Sequence, residues 1–243
     1  MPIPHFYTLL LSLTLLANPA IAERCNSDAA IAAHYRITEK QGPQTRQRDL
    51  VLWRHDGRIA HQYPQRDITE LWEYNTAGHP RLLRSFDAYQ RSIEYAPNEI
   101  PNAASADDWS RKQQLIANSQ IAAMQQQASR GEGCEQRSDY TLDENGAHSD
   151  LQWLPQQRLI AELHYQRGNY EEHWTLMSVN RDAKAVAAFF AERDAFQSTD
   201  YSDIGDNESD PFLSKMINLG FISHGASGIY NSQGQDIGHG HNH

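Results

Sequence analysis

The sequence is short of positive charge and of long apolar runs, and each shortage excludes a class of protein. It holds 21 Lys and Arg against 31 Asp and Glu, a net charge of −10 that argues against nucleic acid or an anionic membrane surface as a partner. Beyond residue 22, no stretch approaches the roughly 18 apolar residues that a membrane-spanning helix needs. We therefore expect no membrane span after that point.

Signature motifs for catalysis are also missing. The sequence has no His-Glu-x-x-His, no Cys-x-x-Cys, no Gly-x-Ser-x-Gly and no glycine-rich phosphate loop. Ser223 and His224 are neighbours, but adjacent residues cannot form a catalytic triad by themselves. A pair of catalytic carboxylates needs no sequence signature, so a hydrolase stays open as a third interpretation. The sequence favours a protein that is not an enzyme.

The first 22 residues have the features of a cleavable secretory signal peptide. Phe6 to Ala17 forms an apolar run of about 12 residues, which is too short to span a bilayer. Ala20-Ile21-Ala22 supplies small residues for cleavage before Glu23. We therefore predict export to the periplasm or full secretion, with a single domain at 23–222 and a flexible tail rich in Gly, Ser and His at 223–243.

Only two cysteines are present, Cys25 and Cys134. In an oxidising compartment an even pair predicts one disulfide. Closing a loop of this length stabilises the fold by up to about 4–5 kcal/mol in the chain-entropy model. The alternative is a pair of metal thiolates, although neither cysteine has another Cys or a His at ligand spacing.

Alternating apolar and polar residues predict two groups of strands. Asp56-Gly57, Asn145-Gly146 and Gly168-Asn169 lie between such segments and predict hairpin turns. The first group covers residues 34–95 and the second covers 140–179. Each group is predicted to form an antiparallel meander, because its strands are joined by short turns.

Three segments predict helices. Helical spacing and an Ala- and Gln-rich composition favour Asp107 to Arg130, capped by Asp107 or Asp108. Asp182 caps a second helix over 183–196, and Pro211 begins a third that ends near Leu219. The acidic segment between the last two is predicted to be a loop.

The order of these elements predicts the fold class. Strands, helix, strands and two helices favour an α+β domain, with an antiparallel β-meander in two halves, an intervening helix and C-terminal helices. A curved half-barrel with helices packed into its concave face would fit this order. In architecture this is similar to the periplasmic lipoprotein carriers, although no sequence motif accompanies the similarity.

The C-terminal histidines suggest a function. His239, His241 and His243 alternate with Gly and Asn, and His224 could join them as a fourth ligand. Imidazole suits Zn²⁺, Cu²⁺ and Ni²⁺. The main hypothesis is therefore a periplasmic or secreted protein that binds a transition metal for sequestration or delivery. A solvated tail with no role is the alternative interpretation of these residues.

Three other features compete with the tail. Acidic residues between 200 and 210 could bind Ca²⁺ or simply form a solvated loop that caps the next helix. His164 and His173 flank a turn and could face each other. Aromatic residues on the predicted strands could be core, or could line a sheet that carries an apolar or lipid ligand. That carrier is the alternative function, and a partner protein is also possible.

Overall fold

The computed structural model describes residues 29–75, 77–100, 105–204 and 209–218. These residues form a large sheet with a few helices. The strands are β1 (Ile31–Gln41), β2 (Gln44–His55), β3 (Arg58–Tyr63), β4 (Ile68–Tyr74), β5 (Pro80–Phe86), β6 (Arg91–Tyr95), β7 (Gln125–Arg130), β8 (Arg137–Glu144), β9 (Ala147–Leu154), β10 (Leu159–Arg167), β11 (Tyr170–Asn180) and β12 (Gln197–Asp200). The helices are α1 (Ala106–Gln114), α2 (Asn118–Ala123), α3 (Ala183–Asp194) and α4 (Pro211–Asn218).

All the strands of the described residues belong to one curved, non-closed sheet. Their order is β12-β6-β5-β4-β3-β2-β1-β11-β10-β9-β8-β7, and the pairs are antiparallel except β12 with β6. The sheet becomes continuous because β1 pairs with β2 on one side and with β11 on the other. The antiparallel sheet is confirmed, whereas the predicted α+β label and the two halves are not.

Two hairpin turns have the backbone that their sequences predict. Asp56 and Gly57 have φ of 49° and 74°, and Asn145 and Gly146 have φ of 50° and 74°. Two successive positive φ values match the twist of the adjoining strands, and Asn, Asp and Gly adopt them at low cost. These turns fix the registers of β2 with β3 and of β8 with β9.

The long helix predicted over 107–130 is wrong. Helix α1 begins after Ser105, whose side chain accepts from the Asp108 amide, and ends at Leu115, which has a φ of 67°. A second short helix follows, and Gln125–Arg130 then forms edge strand β7 against β8. Pairing with β8 outweighs the helix propensity of this segment, because it gives the backbone hydrogen-bonding partners along one side.

The two later helices are close to the predictions. Asp182 caps α3 by accepting from the amides of Lys184 and Ala185. Asp210 accepts from the Phe212 amide at 2.8 Å, at the start of α4. The intervening segment predicted as a loop contains β12. Across the described residues, no helix is long and apolar enough to cross a membrane.

The sheet has two faces, which we name the α3 face and the core face. Val51, Trp53, Ala60 and Leu71 lie on the α3 face. Phe189 of α3 stacks on Trp53, with ring centroids 3.7 Å apart. The opposite side chains of the same strands form the core face, which carries the main hydrophobic core. Core-face residues of the first six strands include Leu50, Leu52, Ile59, Trp72, Leu82 and Ile93.

Candidate functional site

An apolar strip of partly exposed side chains lies on the core face of β8, β10 and β11. We define the apolar strip as Tyr140, Leu142, Leu163, Tyr165, Trp174 and Leu176. Leu163 pairs with Trp174 across one strand boundary and with buried Leu151 across the other. Because strand side chains alternate between faces, these residues share one side of the sheet.

The other face of the same strands is polar. Glu162, His164 and Gln166 alternate with the strip residues of β10, and His173 and Thr175 do so in β11. In antiparallel sheets, an apolar face opposite a polar one is the normal sign that one side is covered. The apolar strip has that pattern, yet its side chains remain only partly buried.

Helix α1 covers the core face of the neighbouring strands β2 and β3. The Nε2 atom of His61 lies 2.7 Å from the carbonyl oxygen of Lys112, and the His61 ring packs edge-on against Trp72. Burial lowers the pKa of His61 to about 4, so the ring is neutral at physiological pH. Arg54 donates to the carbonyls of Gln113 and Gln157. These bonds tie α1 and the turn between β9 and β10 to the sheet.

A buried ion pair lies on the core face of β4 and β5. Arg84 donates to Glu70 at 2.6 Å, and the two side chains are 3% and 6% exposed. The Arg84 guanidinium also donates to the Tyr95 hydroxyl and lies over the Tyr95 ring. A buried pair is costly to leave half-made, because the remaining charge would lack a partner. This pair serves the structure of the first six strands.

A second charged group borders the apolar strip, and we name it the Arg48 cluster: Arg48, Glu39, Glu172 and Tyr170. Arg48 contacts Glu39 at 2.8 Å and Glu172 at 3.4 Å. Glu172 also accepts from the Tyr170 hydroxyl at 2.8 Å. Burial and the Glu172 carboxylate raise the pKa of Tyr170, so its hydroxyl stays protonated.

The Arg48 cluster is joined to the strip through Trp174. The indole N–H of Trp174 donates to Glu172 at 2.5 Å, and the Arg48 guanidinium lies 5.7 Å from the Trp174 ring centre. Trp174 thus has a polar edge in the cluster and an apolar ring in the strip. The core face places charged and apolar groups side by side at this point.

The predicted metal ligands His224, His239, His241 and His243 lie outside the described residues, as do the signal peptide at 1–22 and Cys25. Cys134 is disulfide-bonded. Because Cys25 is not described, the Cys25–Cys134 pairing stays a prediction, and so does metal binding by the tail histidines.

The inner histidines do not form a metal site. His164 and His173 face each other as predicted, with ring centroids 6.2 Å apart. His148 lies between Asp143 and Asp150 at 2.7 and 2.9 Å, and both carboxylates raise its pKa. Within the described ranges, no group of three or more His, Cys, Asp or Glu side chains could hold a metal ion.

Two concave sites lie away from the strip. One of about 460 Å³ is at the β8–β9 turn, next to His148 and Gly168. The other, of about 360 Å³, lies beside α3 and is lined by Arg58, Arg81 and Arg193. Acidic partners neutralise these arginines, for example Asp194 for Arg58 and Asp87 for Arg193. Neither site joins apolar lining to a free charged group.

The sequence alone points to part of the strip. Tyr140, Tyr165 and Trp174 belong to the aromatic residues that the sequence suggests for an apolar ligand, but Leu142, Leu163 and Leu176 were not singled out. Their period-two alternation with polar residues carries the signal. The Arg48 cluster has no such signal, because Glu172 lies 124 residues from Arg48 in the chain.

Comparisons with known proteins find several similar solved structures, with low TM-scores. No protein-family model matches the sequence, and no curated protein matches it. PNGF-II has a TM-score of 0.35 at 7% identity over 73% of this chain, which spans only 33% of that protein. A putative outer membrane lipoprotein-sorting protein domain from Vibrio parahaemolyticus has a TM-score of 0.31 at 7% identity, with 70% of this chain and 95% of that one covered. A LolA superfamily protein from Nitrosomonas europaea has a TM-score of 0.29 at 7% identity, with coverages of 66% and 91%.

These comparisons correct the main functional hypothesis. The prediction that the chain functions by sequestering or delivering a transition metal is wrong, because the similar structures are named for lipoprotein sorting and the LolA superfamily and favour the alternative, a carrier. With all three TM-scores below 0.5, no ligand or activity is transferred from those proteins to this chain.

Proposed function

We propose that this chain is a periplasmic or secreted carrier that binds an apolar or lipid ligand on the core face of its curved, half-barrel sheet. The observation that carries the proposal is the apolar strip of β8, β10 and β11. It offers aromatic and leucine side chains on one face of strands whose other face is polar. Ligand sites are mainly apolar with a few well-placed polar groups.

The composition of the strip suits a chain-like apolar ligand. Tyr140, Tyr165 and Trp174 supply flat rings, and Leu163 and Leu176 supply branched side chains between them. Burying apolar surface contributes about 25 cal/mol per Å², so a ligand that covers roughly 200 Å² of it gains roughly 5 kcal/mol before the costs of binding. The predicted export signal and the disulfide at Cys134 fit a protein that works outside the cytoplasm.

The proposal is tested with N-phenyl-1-naphthylamine, an uncharged apolar fluorophore, and the chain from Glu23 onward. We expect fluorescence to rise on binding, and Leu163→Glu to weaken binding at least about tenfold because it places a charge in the strip. His164→Glu is the matched control, since it changes the next residue of β10 on the polar face. Thermal unfolding of both variants would show that they remain folded.

Two results would contradict the proposal. One is no fluorescence change with the unaltered chain at any concentration up to the solubility of the probe. The other is an equal loss of binding in Leu163→Glu and His164→Glu, because the probe would then not depend on the core face.

A further inference from the structure

Arg48 has an unused donor at the edge of the apolar strip. Its Nε and Nη2 are directed at Glu39 and Glu172, whereas Nη1 is buried and has no hydrogen-bond partner among the described residues. A buried donor without a partner costs free energy, about 1–3 kcal/mol for an ordinary group. Such an atom is a natural point for a ligand acceptor.

Arg66 is the second arginine near Arg48: the adjacent Gln65 accepts from the Asp49 amide at 3.1 Å and donates to the Asp49 carboxylate at 2.9 Å, which places this turn against the residue that follows Arg48. It lies in the short turn Pro64–Arg66 between β3 and β4 and is partly buried. Across the described ranges it makes no ion pair and no side-chain hydrogen bond. Its electrostatic neighbours are Tyr63, Arg48, Glu39 and Glu70, and its pKa is lowered, first by burial and then by repulsion from Arg48. A bound anion would offset both effects, because it stabilises the charged form of Arg66.

The acidic neighbours do not neutralise this second arginine. Glu39 and Glu172 contact Arg48, and Glu70 contacts Arg84 at 2.6 Å. Each carboxylate therefore already has a closer cation, and the positive charge of Arg66 is left without a contact. Tyr63 lies among these charges, and burial raises the pKa of its hydroxyl, so it is a neutral hydrogen-bonding group there.

The two arginines lie where the polar end of an amphiphile would be. Arg48 is 5.7 Å from the ring centre of Trp174, which belongs to the strip. Resting on the proposed carrier function, we propose that Arg48 Nη1 and Arg66 bind the anionic headgroup, a carboxylate or a phosphate, of an amphiphile whose apolar chain lies along the strip. Arginine suits both groups, because its planar fork can donate two hydrogen bonds to their oxygens.

The experiment compares three ligands with the same alkyl chain: dodecanoate and dodecyl phosphate below their micelle concentrations, and dodecanol below its solubility limit. Titration calorimetry on the chain from Glu23 onward should show the two anions binding about tenfold tighter than the alcohol, the size expected for charge-assisted hydrogen bonds. The tighter of the two anions identifies the headgroup. Arg66→Gln should remove this advantage and leave the dodecanol affinity unchanged.

Arg36→Gln is the matched control. Arg36 is an arginine of β1 that pairs with Asp49 at 3.3 Å, and its side chain is 45% exposed. The substitution removes the same charge from the protein without touching the headgroup site. We expect it to leave the preference for anions intact, so any general effect of net charge is separated from the effect of Arg66.

Each other outcome overturns the proposal in a distinguishable way. Equal binding of the alcohol and both anions would reject the headgroup site and leave the carrier function standing. The headgroup site would also be rejected if Arg36→Gln lowered anion binding as much as Arg66→Gln does. Failure of all three ligands to bind would reject the carrier function together with the headgroup site.

Discussion

Strands β1–β6 and strands β8–β11 belong to one sheet, but their faces are covered differently. In the first region α3 packs on one face and α1 on the other, and apolar side chains such as Leu52 and Ala60 are fully buried. In the second region one face is polar and the other carries the partly exposed apolar strip. The same strand geometry therefore gives a covered core in one region and a partly exposed apolar surface in the other.

The two regions also differ in how deeply their ion pairs are buried. The first region contains an enclosed ion pair, Glu70 with Arg84, whose two charges must stay paired. At the edge of the second region, Asp139 of β8 pairs with Arg130 of the neighbouring strand β7, and their side chains are 26% and 55% exposed to water. We therefore expect equal substitutions to cost more stability in the first region.

The largest difference in stability loss between the two regions should appear when one ion pair is broken in each. Glu70→Gln leaves Arg84 buried without its carboxylate and should lower the free energy of unfolding by about 3–5 kcal/mol. Asp139→Asn, which breaks the exposed pair with Arg130, should cost less than about 1 kcal/mol. Urea unfolding of both variants measures the difference. Equal losses would show that the Arg84 pair is not isolated from solvent.

Replacing a leucine by alanine in each region should show a smaller difference in stability loss. Leu52 is 0% exposed, and Leu52→Ala should cost about 3 kcal/mol through lost burial and the cavity left behind. Leu163→Ala, in the strip, should cost about 1 kcal/mol because Leu163 is already partly in water. Chemical denaturation of the two variants tests this. A loss at Leu163 as large as that at Leu52 would mean that the strip is core.

The two regions should also respond to pH with opposite sign. The pKa of His61 falls from 6.5 to about 4 on folding. Its contribution is therefore complete above pH 6.5 and is lost as the pH falls towards 4, by up to roughly 3 kcal/mol. The pKa of exposed His148 is raised by Asp143 and Asp150. Its small contribution is present at low pH and is lost as the pH rises.

Urea midpoints between about pH 7 and about pH 4.5 measure this response. His61→Gln should flatten the acid-side decline, and His148→Gln should leave it in place. A decline unchanged by His61→Gln would assign the loss of stability to other groups.

At the turns we expect the two regions to lose the same stability. Gly57 and Gly146 have the same φ, 74°, and an added Cβ at either would meet no atom within 4 Å. Gly57→Ala and Gly146→Ala should each cost about 1 kcal/mol from backbone strain alone. Thermal melts would test this, and a difference above about 1 kcal/mol would show that one turn is held by more than its backbone.

Much of the local structure could be predicted from sequence. Asp56-Gly57 and Asn145-Gly146 mark their turns, and Asp182 caps α3 as its position before an apolar stripe suggests. The segment Gln125–Arg130 could not be predicted in this way, because its Gln- and Ala-rich composition favours a helix and only pairing with β8 makes it a strand. Local preference decides where no distant partner competes.

The residues of the candidate site also differ in whether the sequence alone reveals them. Trp174 and Tyr165 stand out as aromatic residues of strands, and they belong to the strip. Arg66 does not stand out, since an arginine in a polar turn is ordinary until its neighbours are known. Pairing of β1 with both β2 and β11 brings Arg48 beside Glu172, which lies 124 residues away in the chain.

By itself the sequence determined the strands, the tight turns and the caps of the later helices, because these depend on side-chain alternation and on backbone preferences within a few residues. Only the tertiary structure decided that the strands join into one open sheet, that Gln125–Arg130 is an edge strand and that charged groups lie beside an apolar strip. Those features depend on contacts between distant segments, whose free energy no local pattern records.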